Sequence, residues 1–195
     1  MHTIYHTDAY VLDERPNGEA GKTFVLFTKD FGLIYASAQG IRFEKSKLRF
    51  ALQKYSLANI ALVFGKTGWR ITNAYSLSNI YYQLGSDQRF RLVARIFSLL
   101  GRLINGEEKN EHLFDILNNA ILFLEKDHLF DDQIKDIECV LVLRILNNLG
   151  YVGDHKDLQF FILDNSMKNE HIEEIKRSRK VVLSEINRAL KESQL

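Results

Sequence analysis

Positively charged side chains dominate residues 42–49. The cations of this stretch are Arg42, Lys45, Lys47 and Arg49. Glu44 is the one acid among them, and Phe43 and Phe50 lie between and beside the cations. Cations that meet phosphates, next to rings that stack on bases, suit a single-stranded nucleic acid. The stretch therefore predicts a phosphate-binding loop, in which Phe43 is the candidate stacking ring.

Two further lysines, Lys29 and Lys54, are the expected helpers of this loop. The alternative is a solvated hairpin loop with Phe43 and Phe50 tucked beneath it, since basic loops are common on protein surfaces. Composition alone leaves both interpretations open.

The distribution of charge is more informative than the total. The 195 residues carry a formal net charge of +1, which does not by itself indicate a polyanionic partner. Residues 1–75 contain ten Lys or Arg and six Asp or Glu, which leaves +4, whereas the remainder sums to −3. The cationic excess therefore belongs to the N-terminal part, and within it to residues 42–54.

The segments on either side of the loop have the composition of short β-strands. Runs rich in β-branched and aromatic residues lie at 9–12, 22–28, 33–38, 55–64 and 69–75. Five strands without an intervening helix predict a small closed barrel, and the oligonucleotide-binding (OB) fold is the five-stranded example. An SH3-like barrel would give a similar pattern. In the last run, alternation places Trp69, Ile71 and Asn73 on one side.

After residue 76 the apolar residues follow the period of a helix. Helices are predicted over 86–104, 111–126, 131–149 and 170–193, and the type of the apolar segment 158–163 is undecided. Gly150 stands where a helix C-terminus takes a residue with positive φ. The apolar stripe of the first helix is Phe90, Val93, Ala94, Phe97, Leu100 and Ile104. The chain is therefore predicted to be α+β, with an OB-type barrel domain over 1–77 and an all-helical domain over 78–195.

No motif predicts an enzyme. Residues 21–23 and 65–67 both read Gly-Lys-Thr, as at the end of a phosphate-binding P-loop, but Pro16 and Ile60 stand where that motif needs glycine. None of the six histidines is paired with a cysteine at zinc spacing. Cys139 is the only cysteine, so no intrachain disulfide can form. We expect no catalytic residue, no metal and no cofactor.

The first residues lack the basic and apolar regions of a secretory signal. No apolar run approaches the ~20 residues that a membrane span requires. We therefore expect a cytoplasmic protein.

In several stretches the exact order of the residues is more informative than their chemical types. They are residues 7–12, 15–19, 27–33, 38–42 and 46–53 in the N-terminal part, and 113–117 and 143–151 in the helical part. Together they resemble the RecO family of bacterial recombination mediators in DNA repair. Residues 176–179, Lys-Arg-Ser-Arg, are similar to the Lys-Ser-Arg element of that family.

The resemblance implies an N-terminal OB domain and a C-terminal helical domain. It implies binding of single- and double-stranded DNA and annealing of complementary strands. It also implies work with RecR, and often RecF, to load RecA onto DNA coated by the single-stranded DNA-binding protein SSB. The acidic, apolar C-terminal tail of SSB would need a basic-rimmed groove in the helical part, where the cations are Arg89, Arg91, Arg95 and Arg102.

A second, weaker DNA-binding patch is formed in this interpretation by Lys176, Arg177 and Arg179. A solvated helix face is the simpler explanation for these three residues.

Many RecO proteins also carry a four-cysteine zinc module directly after a Leu-Gly-Tyr element. Here residues 149–151 are followed by 152–157, which contain no cysteine, and the chain is short for the family. The zinc module is therefore expected to be absent, reduced or replaced.

Two other functions fit the same sequence. In the first, the chain is a protein-interaction adapter whose barrel and helices dock protein partners without DNA, because a barrel does not by itself imply nucleic acid. In the second, the barrel binds RNA and prefers ribose strands. An annealing assay separates the adapter from a DNA-binding mediator.

Overall fold

The computed structural model describes residues 3–85, 88–125, 129–153 and 155–193. Its N-terminal part consists of strands joined by turns and one short helix. In chain order the elements are β1 (Ile4–Asn17), β2 (Gly21–Thr28), β3 (Gly32–Ala38), α1 (Leu48–Ala51), β4 (Ser56–Gly65), β5 (Gly68–Asn79) and α2 (Ile80–Leu84).

The pairing of the strands closes the sheet on itself. β1 is antiparallel to both β2 and β4, β2 is antiparallel to β3, and β4 is antiparallel to β5. β3 and β5 run parallel, with Ala36 opposite Trp69 and Ser37 opposite Arg70. Every strand thus has two hydrogen-bonded neighbours, in the order β1-β2-β3-β5-β4 of a closed barrel. Helices follow this sheet, so the predicted α+β class is confirmed.

The interior of the barrel is filled by the inward-facing residues of each strand. Phe24, Leu26, Ile34 and Ile60 have no exposed surface. Burying side chains of this size stabilises the fold by about 1.5–3 kcal/mol each. Residues of the segment between β3 and β4 join the same cluster, namely Ile41, Ala51 and Leu52. The chain between these strands is therefore anchored to the core at both ends.

A register shift in β5 overturns one predicted orientation. Leu62 lies opposite Ile71, but the next residue back in β4, Ala61, lies opposite Asn73. The extra residue reverses the alternation, as a β-bulge does. Trp69 and Ile71 share one side of the strand, as predicted, and that side is buried, whereas Asn73 is exposed and Ala74 is buried instead.

The second half of the described chain is helical. Its helices are α3 (Gln88–Leu103), α4 (Glu111–Leu124), α5 (Asp131–Asn148), α6 (Gln159–Ile162) and α7 (Asn169–Glu192). The four predicted helices are confirmed, although 86, 87 and 126, which the prediction included, lie outside the described residues. The undecided segment forms a short 3₁₀ helix, Lys156–Leu158, followed by α6. Gly150 ends α5 with a φ of +82°.

The buried face of α3 differs from the predicted stripe. Its buried residues are Leu92, Val93, Ile96, Phe97, Leu100 and Leu103. Phe90, Ala94 and Ile104 of the prediction are only half-buried. This helix is apolar on two adjoining stripes, so its periodicity alone could not choose between them.

The chain divides into two compact units. One consists of Met1–Gly85 with Phe97–Glu111, and the other of Ser86–Ile96 with His112–Leu195. In the second unit α5 packs along α7 and contacts α6. The predicted domain boundary between residues 77 and 78 stays a prediction; β5 itself continues to Asn79.

Contacts around the Trp69 side chain also hold the first unit together. The rings of Tyr5, Phe31 and Phe64 lie around Trp69, with centroid distances of 5.5, 5.2 and 4.9 Å from the indole. The indole N–H of Trp69 donates a 2.8 Å hydrogen bond to Glu107. The segment that follows α3 is thereby fixed to the barrel.

Across the described ranges, none of the helices combines the length and the hydropathy that crossing a membrane would require.

Candidate nucleic-acid interface

Residues 39–53, which lie between β3 and β4, contain the four central predicted cations and are called the basic loop below. It leaves β3 through a series of turns and enters α1. The backbone N–H of Arg42 donates a 3.1 Å hydrogen bond to the carbonyl of Ala20, which ties the loop to the β1–β2 turn. With Ile41 and Leu52 buried, the loop has a fixed base and an exposed surface.

The four central cations of the basic loop remain available to a ligand. Arg42, Lys45, Lys47 and Arg49 are all exposed. In the described chain, no carboxylate lies within ion-pair distance of any of them, while other lysines of the same unit are paired. The guanidinium carbon of Arg49 lies 5.2 Å from the centre of the Phe50 ring, a cation–π contact that leaves its N–H groups accessible. Their charge is therefore not neutralised by the protein itself.

Two aromatic rings accompany these cations on the surface. Phe43 and Phe50 each expose 64% of their area, so the alternative in which the rings fold beneath the loop is wrong. Gly40 contributes to the position of Phe43, because a Cβ at Gly40 would lie 3.3 Å from the ring. Gly40 also has a φ of +66°, which favours glycine. Exposed rings beside exposed cations are the arrangement that base stacking uses.

The two expected helper lysines are less available. Lys54 Nζ lies 2.7 Å from Asp13 Oδ1, and this hydrogen bond raises the pKa of Lys54 and lowers the pKa of Asp13. Lys29 Nζ lies 3.3 Å from Glu111 Oε1. Both ammonium groups thus already have a carboxylate partner, in contrast to the four cations of the basic loop.

An open cleft of about 390 Å³ borders the basic loop. Arg49, Phe50 and Lys54 line one part of it, and Glu14 and Lys22 line another. Glu14 and Lys22 are paired with each other at 2.5 Å. The cleft therefore presents Arg49 as its unpaired charge.

The second predicted patch, on α7, consists largely of paired residues. Arg177 donates a 3.0 Å hydrogen bond to Glu174, one turn away on the same helix. Arg179 donates a 2.7 Å hydrogen bond to Asp136 of α5, whose side chain is buried. Lys176 is exposed. The role of Arg179 in holding a buried carboxylate is structural, which favours the simpler explanation of a solvated helix face.

The arginines expected to face an SSB tail are also partly committed. Arg95 makes two hydrogen bonds of 2.6 Å to the carboxylate of Glu138. Arg89 donates a 3.4 Å hydrogen bond to the carbonyl of Leu124. Arg91 and Arg102 are exposed.

The segment after the Leu-Gly-Tyr element is tied to α7 by hydrogen bonds. Arg188 donates to the carbonyl of Tyr151 at 3.0 Å, and the Gly153 N–H donates to Glu185 at 3.1 Å. His155 Nε2 lies 3.3 Å from the same Glu185 carboxylate, and Asp154 lies outside the described residues. Over the described ranges, no three His, Cys, Asp or Glu side chains are grouped as metal ligands.

Sequence reasoning missed two exposed cations of the barrel, Lys66 and Arg70. Both line a separate groove at the β4–β5 turn. They lie 17 or more positions after Arg49 in the sequence, so a search for clustered charge does not find them. The signal that could have found them is the Gly65-Lys66-Thr67 turn, because a lysine in a tight turn between two strands is exposed even where the motif is not a P-loop.

Comparison with known proteins agrees with the residue order noted above. Residues 1–79 match the domain family described as "Recombination protein O N terminal". A protein named DNA repair protein RecO from Alkaliphilus metalliredigens is 29% identical over 151 residues, which cover 77% of this chain and 58% of the relative. The chain is thus similar to proteins of the RecO family, in its N-terminal domain and over most of its length. The predicted resemblance is thereby confirmed.

Further relatives of the same name extend this family similarity into the helical unit. DNA repair protein RecO from Desulfitobacterium hafniense is 27% identical over 76% of this chain and 52% of its own length. The protein of that name from Thermodesulfovibrio yellowstonii is 28% identical over 78% of this chain and 60% of its own length. The chain spans between about half and three fifths of the length of these relatives.

Proposed function

We propose that this chain binds DNA through its basic loop and acts in DNA repair and recombination. The observation that carries the proposal is the set of four exposed loop cations without a carboxylate partner in the described chain, next to the exposed rings of Phe43 and Phe50. Similarity to RecO proteins supports it, because the relatives are named DNA repair proteins.

We also propose that the barrel is an OB fold. Its five strands, its closed order β1-β2-β3-β5-β4 and its single parallel pair between β3 and β5 support this assignment. In that fold the face of strands 2 and 3 and the loops between strands 1 and 2 and between 4 and 5 bind oligonucleotides. The basic loop begins directly after β3, and its Arg42 is tied to the β1–β2 turn. It thus adjoins the face that an OB fold uses.

The proposed mechanism requires no bond-making, so the chain is not expected to be an enzyme. Each cation that meets a phosphate releases condensed counterions, which favours binding and lowers the repulsion between two strands held together. Contacts to phosphates leave the base edges free to pair. A surface of this kind binds single- and double-stranded DNA and brings complementary strands together, which is strand annealing.

The partners of the proposed function follow from the family resemblance alone. They are RecR, the C-terminal tail of SSB and, indirectly, RecA, which would be loaded onto SSB-coated single strands. A role on chromosomal DNA would place the chain in the cytoplasm. No metal or cofactor takes part in this proposal.

The test of the DNA-binding loop is the salt dependence of affinity. Neutralising four phosphates of a single strand should give log affinity against log salt a slope near −3, at about −0.7 per phosphate. Fluorescence anisotropy with a labelled oligothymidine would measure it. Replacing the four loop cations with alanine should remove this contribution and make the slope shallower by about 3. A matched control replaces the four exposed cations Arg102, Lys156, Lys180 and Lys191 with alanine.

The control variant should keep a slope near that of the unmodified chain, although it loses the same total charge. An unchanged slope in the loop variant would remove the basic loop from the DNA site. The adapter function predicts a different result altogether, namely no binding by the unmodified chain and annealing of complementary oligonucleotides at the spontaneous rate.

A further inference from the structure

A second groove lies on the barrel, where the end of β3 meets the β4–β5 turn. Its volume is about 320 Å³. Its polar lining is supplied by Ser37, Gln39, Lys66, Thr67 and Arg70. Val63 and the turn residues Gly65 and Gly68 complete it. The groove is therefore built from two strands and one tight turn.

The chemistry of this groove suits an anion. Lys66 and Arg70 are exposed, and neither has an ion pair with any carboxylate in the described part of the chain. None of the described residues that line the groove is acidic. The Thr67 hydroxyl and the Gln39 amide add neutral donors, while the Ser37 hydroxyl already donates to the Trp69 carbonyl at 3.3 Å. Two cations with neutral donors match a phosphate group.

The backbone holds these side chains in a defined arrangement. Ser37 and Arg70 are direct partners on the parallel β3–β5 pair. Gly65 pairs with Gly68 to close the β4–β5 turn, and Gly68 has a φ of +110° that favours glycine. Lys66 thus stands at a two-residue turn and Arg70 on the strand that follows it. Neither cation depends on a long flexible segment for its position.

The groove adjoins the basic loop and an exposed ring. Gln39 lines the groove and is also the first residue of the basic loop, three positions before Arg42. Tyr35, which is 58% exposed, faces outward on β3 as Ser37 does, because Ile34 and Ala36 face the core. A chain of phosphates on the loop can therefore continue along β3 into the groove.

We propose that this groove, named here the β3–β5 groove, is a second phosphate-binding site for a single-stranded polynucleotide, with Lys66 and Arg70 as its cations. The inference rests on the proposed function, because it extends the path of the same strand. The proposal gives the Gly65-Lys66-Thr67 turn a phosphate-binding role that differs from that of a P-loop. A P-loop binds phosphates with backbone N–H groups at a helix N-terminus. This turn instead joins two strands. A nucleoside triphosphate is therefore not the expected ligand.

The experiment compares the Lys66→Gln/Arg70→Gln double variant with a control, Lys156→Gln/Lys191→Gln, which removes the same charge from exposed positions. Salt-dependent binding of a labelled oligothymidine is the readout. Loss of two phosphate contacts should make the slope of log affinity against log salt shallower by about 1.4, at about 0.7 per contact. The control should leave the slope unchanged. Circular dichroism and the single variant Lys66→Gln, at an exposed turn position, show whether any loss reflects folding.

Two variants separate the two proposals: the loop variant, in which alanine replaces the four loop cations, and the groove variant Lys66→Gln/Arg70→Gln. If the loop variant changes the slope of log affinity against log salt and the groove variant does not, the β3–β5 groove is not a phosphate site. The proposed function is then unaffected. A slope changed by the groove variant alone supports the groove and removes the basic loop. No binding by the unmodified chain overturns both.

Inorganic phosphate identifies the source of the anion. If the groove holds a phosphodiester of a long strand, millimolar phosphate should compete no better than chloride of equal ionic strength. Isothermal titration calorimetry measures whether inorganic phosphate binds and whether this binding depends on Lys66 and Arg70. If it does, and if the two residues have no effect on strand affinity, the groove is a site for a small anion and the proposal is overturned.

Discussion

Lys54 Nζ lies 2.7 Å from Asp13 Oδ1, a contact that joins β1 to the residue directly after the basic loop, 41 positions away in the sequence. It cancels one positive charge directly beside the candidate DNA-binding surface. Lys54 also lines the cleft that contains Arg49 and Phe50. Asp13 is thus the residue that withholds Lys54 from the set of unpaired cations.

Replacing Asp13 with asparagine should therefore strengthen DNA binding. The freed ammonium adds about one phosphate contact, so the salt slope for a single strand should become steeper by about 0.7. Folding stability should change by less than about 1 kcal/mol, because an exposed ion pair contributes little. Asp132→Asn, which removes the carboxylate of the exposed Lys135 pair in α5, is the control and should leave the slope unchanged. Weaker binding of Asp13→Asn would contradict the assignment.

Gly32 should tolerate no side chain. Its φ is +64°, and a Cβ there would lie 2.1 Å from the backbone oxygen of Glu108. Gly18 has a similar φ of +66° but open space around it, so Gly18→Ala isolates the backbone strain of about 1–2 kcal/mol. Gly32→Ala should cost at least about 1–3 kcal/mol more, by overpacking. Urea unfolding measures both variants, and equal losses would show that the 104–110 segment moves freely away from the barrel.

Arg144 should be essential to the stability of the helical unit. It is buried at 2% exposure, and its guanidinium donates to the carbonyls of Phe161 at 2.5 Å and Ser166 at 3.1 Å. Burial lowers the pKa of Arg144 to about 10, so it remains charged near neutral pH. Arg144→Met leaves these carbonyls without their donor, at about 1–3 kcal/mol each.

The control for Arg144→Met is Arg177→Met, which breaks a surface pair with Glu174 on one helix. That change should cost at most about 0.5 kcal/mol. Thermal unfolding followed at 222 nm compares the two variants. If both unfold at the same temperature, the Arg144 contacts do not hold α5 to the 161–166 segment.

Glu185 should make the helical unit sensitive to acid. Its hydrogen bond from Arg188 is the largest cause that lowers the pKa of this carboxyl to about 2, and the Gly153 N–H and His155 add to it. A lowered folded-state pKa contributes stability that is complete above the unfolded value of 4.5 and is lost as pH falls toward about 2. Glu185→Gln should therefore be less stable at neutral pH and show a flatter stability profile between about pH 4.5 and 2.

The comparison for Glu185→Gln is Glu174→Gln, whose carboxylate lies in an exposed pair with Arg177. Its acid unfolding curve should follow that of the unmodified chain. A Glu185→Gln curve that also follows the unmodified chain over this pH range would show that the 151–155 segment does not depend on this carboxylate.

Local sequence was sufficient for much of the fold. The period of apolar residues identified the strands and the long helices, since each depends on neighbours a few positions away. Some strands are longer than predicted: β1 extends over Ile4–Asn17, although the prediction covers only residues 9–12. Asn73 and the stripe of α3 were misassigned, because a bulge and the choice between two apolar stripes are decided by packing partners elsewhere in the chain.

The cations of the basic loop were evident from the sequence by itself, because all four lie within eight consecutive positions and their charge can be counted without knowing the fold. Which cations stay available was decided only by the tertiary structure. Folding brings Asp13 to Lys54 and Glu111 to Lys29, and it places Lys66 and Arg70 in one groove. Coulomb attraction acts over a few ångströms of space rather than over positions in a chain. The same formal charge is therefore cancelled at one site and exposed at another.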